Sequence, residues 1–227
     1  MADSRHVLDR RLCLVCGACT EKCYAEALEM IGREMTVDEV IQEVLKDRPF
    51  YETSGGGMTL SGGEPLLQVD FVAALLRRAK DDGLHCCIET CGYAPFAHIE
   101  RVLPCTDLFL YDVKETDSER HQALTGVPNA PILDNLRRLH DRGARIVVRL
   151  PVVPGVNDGA EHFAGIAALA SRLPKVEGFE IMPYHRLGEG KLDRLGAQDE
   201  ARVKAETPST ETVNAWIDAL ARLGVKV

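Results

Sequence analysis

The sequence predicts an α/β fold in which parallel strands form a partial (β/α) barrel. Short apolar runs alternate with amphipathic helical segments, glycines close several of these segments, and polar or glycine-rich loops follow the runs. Strands that alternate with helices pair in parallel through right-handed crossovers. Because the sequence offers only five or six strands, and a closed barrel of this kind has about eight, we expect an incomplete barrel.

The predicted elements follow an N-terminal stretch that is rich in cysteine. Thr36 and Glu39 form a capping box, and apolar residues at helical spacing continue from there until Pro49. The predicted strands lie at 58–60, 84–89, 107–113, 145–150 and 179–182, with a weaker sixth candidate at 225–227. The predicted helices carry their apolar faces on Phe71, Leu75 and Ala79, on Ile132, Leu136 and Leu139, and on Val213, Trp216, Ile217 and Leu220.

Composition and charge count against several classes of protein. With 227 residues, 45% of them hydrophobic, the chain can bury a substantial core. Lys and Arg number 27 against 35 Asp and Glu, and this net charge of -8 disfavours nucleic acid or an anionic membrane as the partner. The sequence contains neither an export signal nor an apolar run of roughly 20 residues. We therefore predict a cytoplasmic protein.

Four of the eight cysteines stand close together near the N-terminus. Their spacing is Cys-x2-Cys-x2-Cys-x3-Cys, which suits a 4Fe-4S cluster because successive thiolates in a short loop can reach different corners of one cluster. Zinc is the main alternative, although zinc sites usually combine two separated pairs of ligands. The other cysteines lie in apolar stretches, where a free thiol usually behaves as a small hydrophobe. The predicted metal ligands are Cys13, Cys16, Cys19 and Cys23.

The loops that follow the predicted strands carry the remaining candidate residues. In parallel sheets the ligand site lies at the carboxyl ends of the strands. Gly62 and Gly63 can expose backbone carbonyls to a ligand ammonium group. Asp112 and Lys114 fall on one face of their strand, where a structural ion pair is the alternative interpretation. His185, taken alone, is more often a structural histidine.

In this order, the motifs resemble those of the activating enzymes of glycyl-radical enzymes, a branch of the radical S-adenosylmethionine (radical SAM) superfamily. The likeness covers nearly the whole chain, and its most specific segments are 54–68, 112–114, 149–158 and 182–191. The resemblance implies half of a 4Fe-4S ferredoxin-like insert at 1–35. It also implies a partial barrel of the radical SAM type at 36–227, without its first strand and its cluster loop.

The resemblance also implies which residues bind S-adenosylmethionine. The loop of Gly62, Gly63 and Glu64 would receive the amino group of the methionine moiety, and Lys114 its carboxylate. Glu89 and Thr90 match a position at which some relatives bind a monovalent cation. The implied pocket is completed by Asp112, Val113, Arg149 and His185.

One departure from the family pattern concerns the catalytic cluster. The family uses a Cys-x3-Cys-x2-Cys motif, whose three thiolates leave one iron free for S-adenosylmethionine, and this motif is absent from the sequence. A misplaced start codon, a split gene or a deletion would account for this. Cys13, Cys16 and Cys19 could instead serve as that triad, but their spacing differs. We therefore expect the isolated chain not to cleave S-adenosylmethionine.

By the resemblance, the complete enzyme is an oxidoreductase of class EC 1.97.1.-. It would cleave S-adenosylmethionine reductively, and the resulting 5'-deoxyadenosyl radical would remove hydrogen from a glycine of a partner glycyl-radical enzyme. The implied reductant is a flavodoxin or a ferredoxin, the implied state is a monomer, and no side chain is assigned as an acid or base. Two alternatives stay open: a degenerate barrel that binds S-adenosylmethionine or a partner without catalysis, and an electron-transfer iron-sulfur protein.

Overall fold

The computed structural model describes residues 8–188, 190, 194–195 and 205–227. The chain divides into two compact units, with the boundary between Thr36 and Val37. Of the motif at 182–191, Glu189 and Lys191 lie outside the described residues, as does the 1–7 part of the predicted ferredoxin-like segment. No helix in the described part of the chain is long and apolar enough to cross a membrane.

The N-terminal unit has little regular structure in its described part. Its helix α1 covers Ala18–Glu21 and follows Gly17, whose φ of 78° is left-handed and favours glycine. The Thr20 hydroxyl donates a hydrogen bond to the Gly17 carbonyl at 2.7 Å. None of residues 8–36 is buried. Segments this small usually depend on a metal or on disulfides for stability, because they cannot bury enough apolar surface.

The second unit contains all five strands of the described chain, and helices separate them. The strands are β1 (Gly57–Leu60), β2 (His85–Thr90), β3 (Leu108–Asp112), β4 (Ile146–Val152) and β5 (Gly178–Pro183). The α-helices are α2 (Val37–Val44), α3 (Arg48–Ser54), α4 (Val69–Asp81), α5 (Phe96–Val102), α6 (Ser118–Thr125), α7 (Ala130–Asp141), α8 (Ala160–Arg172) and α9 (Thr210–Arg222). Short 3-10 helices cover Leu45–Asp47, Pro65–Gln68, Leu103–Cys105 and Arg186–Gly188.

The sheet has five strands in the order β1-β2-β3-β4-β5, and every neighbouring pair is parallel. This arrangement confirms the predicted α/β fold with a partial barrel. The register pairs Asp112 with Arg149 and Arg149 with Glu180. Because all the strands run in the same direction, the loops that follow them meet at one edge of the sheet, called here the carboxyl edge.

The two faces of the sheet differ in burial. Side chains alternate along a strand, and one set, which includes Phe109, Tyr111 and Val148, is fully buried in a core shared with the helices. The opposite set includes Asp112 and Arg149 and is only partly buried. The helices thus cover one face, and the other, less buried face carries both polar and apolar side chains.

The predicted sixth strand at 225–227 does not form a strand. Val225 is buried, and the Phe179 amide donates to the Lys226 carbonyl at 2.8 Å. A single backbone hydrogen bond is too few for a ladder. The segment therefore packs beside β5 without extending the sheet.

Candidate functional site

The carboxyl edge brings together most of the residues that the sequence predicts for a ligand site. The loop after β1 approaches the end of β2, where the Glu64 side chain meets Thr90. The next contact joins β2 to β4 through Glu89 and Arg149. A third lies just after β3, where Asp112 meets Lys114. Four adjacent strands thus contribute polar groups to one edge.

Gly62 and Gly63 form an open turn after β1. The φ of Gly62 is 135°, a conformation that side chains other than that of glycine rarely allow. Apart from its neighbours in sequence, an added Cβ at either glycine would meet no heavy atom of the described chain within 4 Å. The backbone of this turn is therefore free to approach a ligand closely, as the sequence predicts.

The Glu64 side chain holds this turn against β2. Its Oε1 accepts hydrogen bonds from the Leu66 amide at 3.1 Å and the Thr90 hydroxyl at 2.7 Å. Its Oε2 accepts from the amide of Cys91 at 2.9 Å and from the thiol of Cys91 at 3.0 Å. Burial, reinforced by the hydrogen bond to Glu64, raises the pKa of the Cys91 thiol. The thiol thus stays protonated at neutral pH.

Lys114 forms an ion pair with Asp112, with its Nζ 3.0 Å from Oδ2. The two side chains share a face, as strand alternation predicts. The Lys114 side chain is 39% exposed, and an ammonium group has three donor hydrogens. One hydrogen bond to Asp112 therefore leaves Lys114 able to bind a ligand carboxylate as well. The structural and ligand-binding interpretations of this pair are compatible.

Arg149 is largely buried, with a side chain 14% exposed. Its Nη1 lies 2.9 Å from Glu89 Oε1, and its Nη2 lies 3.3 Å from Met182 Sδ. Its Nε is buried without a hydrogen-bond partner among the described residues, since the Glu180 carboxylate stands 3.8 Å away. A buried donor without a partner is costly, so this atom fits a site in which a ligand supplies an acceptor.

Glu89 and Thr90, the predicted cation ligands, have other partners here. Glu89 pairs with Arg149, and the buried Thr90 donates its hydroxyl hydrogen to Glu64. The hydroxyl of Thr90 also accepts a hydrogen bond from the Gly92 amide at 2.9 Å. The monovalent cation stays a prediction.

Two other predicted residues make no side-chain hydrogen bond or ion pair with this cluster. The Val113 side chain is buried in the core, and its amide donates to the Arg149 carbonyl at 2.8 Å. His185 is exposed and lies two residues after the end of β5. Of these two residues, only the backbone of Val113 contributes to the described edge.

Asn157, to which the sequence motifs assign no role, joins the loops after β3 and β4. Asn157 is 3% exposed, and its Nδ2 donates to the carbonyls of Lys114 and Pro151, each at 2.7 Å. Its Oδ1 accepts from the Val153 amide at 2.7 Å. The only sequence signal was its position within the 149–158 segment that carries the resemblance.

A second buried group supports the loop after β3. Glu115 is 1% exposed, and its Oε1 accepts from the Thr116 amide at 2.7 Å and lies 2.9 Å from His162 Nδ1. Arg120 Nε lies 3.2 Å from Glu115 Oε2. Burial lowers the pKa of His162, outweighing the attraction of Glu115. The histidine is therefore neutral at neutral pH, and the network orders the chain directly after Lys114.

The four N-terminal cysteines are free thiols, of which Cys16 and Cys19 are exposed. The Val15 amide donates to Cys13 Sγ at 3.4 Å. Within the described residues, no three His, Cys, Asp or Glu side chains are close enough together to hold a metal ion. The donor chemistry suits an iron-sulfur cluster, but the thiols are not gathered around one centre. Their role as cluster ligands stays a prediction.

Comparison with known proteins identifies the family. Residues 14–169 match the sequence profile of the radical SAM superfamily. The chain belongs to the radical SAM superfamily. It is 40% identical over 190 residues to the pyruvate formate-lyase-activating enzyme of Staphylococcus aureus, covering 81% of this chain and 75% of that protein. The resemblance to activating enzymes is thereby confirmed.

Two further similarities agree with this assignment. The chain is 45% identical over 194 residues to the isethionate sulfite-lyase activating enzyme of Oleidesulfovibrio alaskensis, covering 84% of this chain and 62% of that enzyme. A crystal structure of a domain of the pyruvate-formate lyase-activating enzyme from Bacteroides vulgatus superposes with a TM-score of 0.63 at 31% identity, over 75% of this chain and 96% of that domain. The chain spans 62–66% of the length of three isethionate sulfite-lyase activating enzymes that it resembles. Family membership implies a 4Fe-4S cluster and S-adenosylmethionine as cofactors.

Proposed function

We propose that this radical SAM chain supplies the S-adenosylmethionine-binding part of an activating enzyme, which cleaves S-adenosylmethionine reductively to generate a glycyl radical on a partner enzyme. The observation that carries the proposal is the carboxyl edge, where an open glycine turn, a lysine and an arginine Nε without a hydrogen-bond partner among the described residues lie on adjacent loops and strands. The names of the relatives, which are activating enzymes, support the reaction.

The polar groups of the edge suit the amino acid end of S-adenosylmethionine. Its ammonium group needs acceptors, which the open backbone at Gly62 and Gly63 can offer. Its carboxylate needs a cation, and Lys114 has donor hydrogens to spare. Arg149 Nε requires an acceptor atom from whatever occupies the edge. His185, exposed after β5, is proposed as a further contact.

The cluster that would reduce S-adenosylmethionine does not fit the residues of this sequence. When bound, a 4Fe-4S cluster held by three thiolates supplies the electron for the cleavage. The 227 residues contain no Cys-x3-Cys-x2-Cys motif to hold it. We therefore propose that the chain by itself binds S-adenosylmethionine and does not cleave it.

The N-terminal cysteines are proposed to hold a separate, auxiliary 4Fe-4S cluster. Three observations support this: the spacing of the thiols, the lack of any buried residue in 8–36, and the Val15 amide directed at Cys13 Sγ. Hydrogen bonds from amides to sulfur are among the features that tune such clusters. Zinc is the alternative metal, and metal analysis after anaerobic reconstitution separates the two.

The remaining proposals concern partners and setting. A glycyl-radical enzyme is the proposed substrate, because the relatives are activating enzymes. A flavodoxin or a ferredoxin is the proposed reductant, and a monomer in the cytoplasm is the proposed state. A monovalent cation beside Glu89 is proposed from the resemblance alone. The second candidate function is binding of S-adenosylmethionine without catalysis, which the absent motif favours for this chain.

A binding experiment tests the proposed function. Isothermal titration of the 227-residue chain with S-adenosylmethionine is expected to give saturable binding, and Lys114→Ala is expected to weaken it about tenfold, since a charge-assisted hydrogen bond is lost. Lys46→Ala is the matched control, because Lys46 is also paired with a carboxylate, that of Glu43, but lies outside the carboxyl edge. Saturable binding that Lys114→Ala leaves unchanged would overturn the assignment of this edge.

An assay for 5'-deoxyadenosine tests the absence of cleavage. After anaerobic reconstitution with iron and sulfide and reduction with dithionite, the chain is expected to form none above the background of a protein-free mixture. Robust product would show that Cys13, Cys16 and Cys19 supply the missing ligands.

A further inference from the structure

The Glu64 carboxylate has no hydrogen-bonding capacity left for a ligand. A carboxylate offers about four lone-pair sites on its two oxygens. All of them have donors from the protein: the Leu66 amide and the Thr90 hydroxyl on Oε1, and the amide and thiol of Cys91 on Oε2. The side chain of Glu64 therefore acts within the protein, and only its backbone can face a ligand.

These four donors come from the segments that follow two neighbouring strands, β1 and β2, and from the end of β2 itself. Leu66 belongs to the chain after β1, whereas Thr90 and Cys91 belong to the end of β2 and the loop after it. One side chain thus ties the Gly62–Gly63 turn to the neighbouring strand. The turn needs this support for two reasons. Gly62 adopts a φ of 135°, and apart from neighbours in sequence no atom of the described chain lies within 4 Å of a Cβ placed at Gly62 or Gly63. Glycine also has more conformational freedom to lose than any other residue.

We propose that Glu64 is a positioning residue, which fixes the Gly62–Gly63 turn in its ligand-binding conformation, and that the Cys91 thiol is the donor that completes its hold. This inference rests on the proposed function and assigns Cys91 a role in it. Cys91 supplies both donors to Oε2, and substitution of its side chain removes the thiol donor while the backbone amide stays in place. A thiol kept protonated by burial can act only as a donor to this carboxylate.

Substitution of Cys91 separates hydrogen bonding from packing. Cys91→Ser keeps a hydroxyl donor and is expected to bind S-adenosylmethionine within about twofold of the unaltered chain. Cys91→Ala removes the donor and is expected to weaken binding about fivefold, since hydrogen bonds to charged groups are among the stronger ones. Cys105→Ala is the matched control, because Cys105 is also a partly buried free thiol but lies before β3, away from the carboxyl edge.

A double-mutant cycle with Glu64→Gln tests whether the thiol acts through Glu64. Glu64→Gln replaces one acceptor oxygen by an NH2 group, which is itself a donor and faces the donors that surround Glu64. It is expected to weaken binding of S-adenosylmethionine about tenfold. In that background Cys91→Ala is expected to weaken binding by less than about twofold, because the glutamine side chain keeps one acceptor oxygen for four donors and the hold of the carboxylate is already broken. Full additivity, or a Cys91→Ser variant as weak as Cys91→Ala, would overturn the proposal. The melting temperature of each variant shows whether global stability has changed instead.

Hydrogen exchange tests the inference even if the chain binds no S-adenosylmethionine. In Cys91→Ala, the Leu66 and Cys91 amides that donate to Glu64 are expected to exchange several-fold faster, while amides in β3 and β4 keep their rates. Unchanged exchange at both amides would contradict the positioning role. Faster exchange without any binding by the unaltered chain would instead contradict the proposed function alone.

Discussion

The N-terminal unit and the carboxyl edge of the sheet both carry predicted cofactor ligands, but only the carboxyl edge has a folded core beneath it. No residue of 8–36 is buried, and its thiols are not gathered around one centre. At the carboxyl edge, Glu64, Asn157 and Arg149 are held by hydrogen bonds or ion pairs between neighbouring loops and strands. The core orders the second region before any ligand binds. We propose that the first region depends on a metal for order.

The largest effect is expected from removing the thiols of the N-terminal unit. With Cys13, Cys16, Cys19 and Cys23 all replaced by Ser, iron bound after reconstitution is expected to fall from about four atoms per chain to none. The unfolding temperature of the second unit is expected to stay the same. Iron analysis and calorimetry measure both quantities. Retention of iron by the serine variant would contradict the placement of the cluster in the N-terminal unit, because the iron ligands would then lie elsewhere in the chain.

A large effect on stability is expected at Asn157. Asn157→Ala leaves two carbonyls and the Val153 amide without their partner, and we expect the free energy of unfolding to fall by about 3 kcal/mol. Urea denaturation measures the loss. Asn214→Ala, at an exposed position in α9, is the control and is expected to change the free energy of unfolding by less than about 0.5 kcal/mol. A fall equal to that of the control would show that the edge is not held by this clamp.

The smallest effect concerns the pH dependence of stability at His162. Burial lowers the pKa of this histidine below its usual 6.5, so between the lowered value and 6.5 the unfolded chain binds a proton that the folded chain does not. The contribution of His162 to the free energy of unfolding is therefore fully present above pH 6.5. It falls as the pH drops from 6.5 towards the lowered pKa, by at most about 1.4 kcal/mol per pH unit.

The variant His162→Asn is expected to reduce this slope, because asparagine keeps a donor near Glu115 but does not titrate. Urea denaturation between pH 5 and 7 gives the slope of the free energy of unfolding against pH for both proteins. Because slopes are compared, a loss of stability that is the same at every pH does not affect the result. Equal slopes would mean that the pKa of His162 is the same in the folded and the unfolded chain, so that burial does not lower it.

The fold could be predicted from the sequence to a large extent. The apolar runs at 107–113 and 145–150 match β3 and β4 closely, because strands buried on one face must carry regularly spaced apolar side chains. The segment at 225–227 looks similar in composition but makes only one backbone hydrogen bond with β5. Pairing depends on where a neighbouring strand lies, which composition does not reveal.

The site could be predicted less completely. Glycines, charges and their loops were recognisable, since ligands of parallel sheets bind at the carboxyl edge. The role of Asn157 in joining these loops was not recognisable. Asn157 donates to the backbone carbonyls of Lys114 and Pro151, and because every residue has such a carbonyl, the sequence does not reveal which ones it contacts. Likewise, Glu64 was recognisable as a motif residue, yet its four donors come from chain segments that only the folded sheet brings together.

The central claim is that the carboxyl edge is a preformed S-adenosylmethionine site that does not depend on the N-terminal cysteines. The most direct measurement is isothermal titration of S-adenosylmethionine into the variant with all four N-terminal cysteines replaced by Ser. We predict the same dissociation constant, within about twofold, as for the metal-free unaltered chain. Loss of binding in the serine variant, with the second unit still folded, would contradict the account.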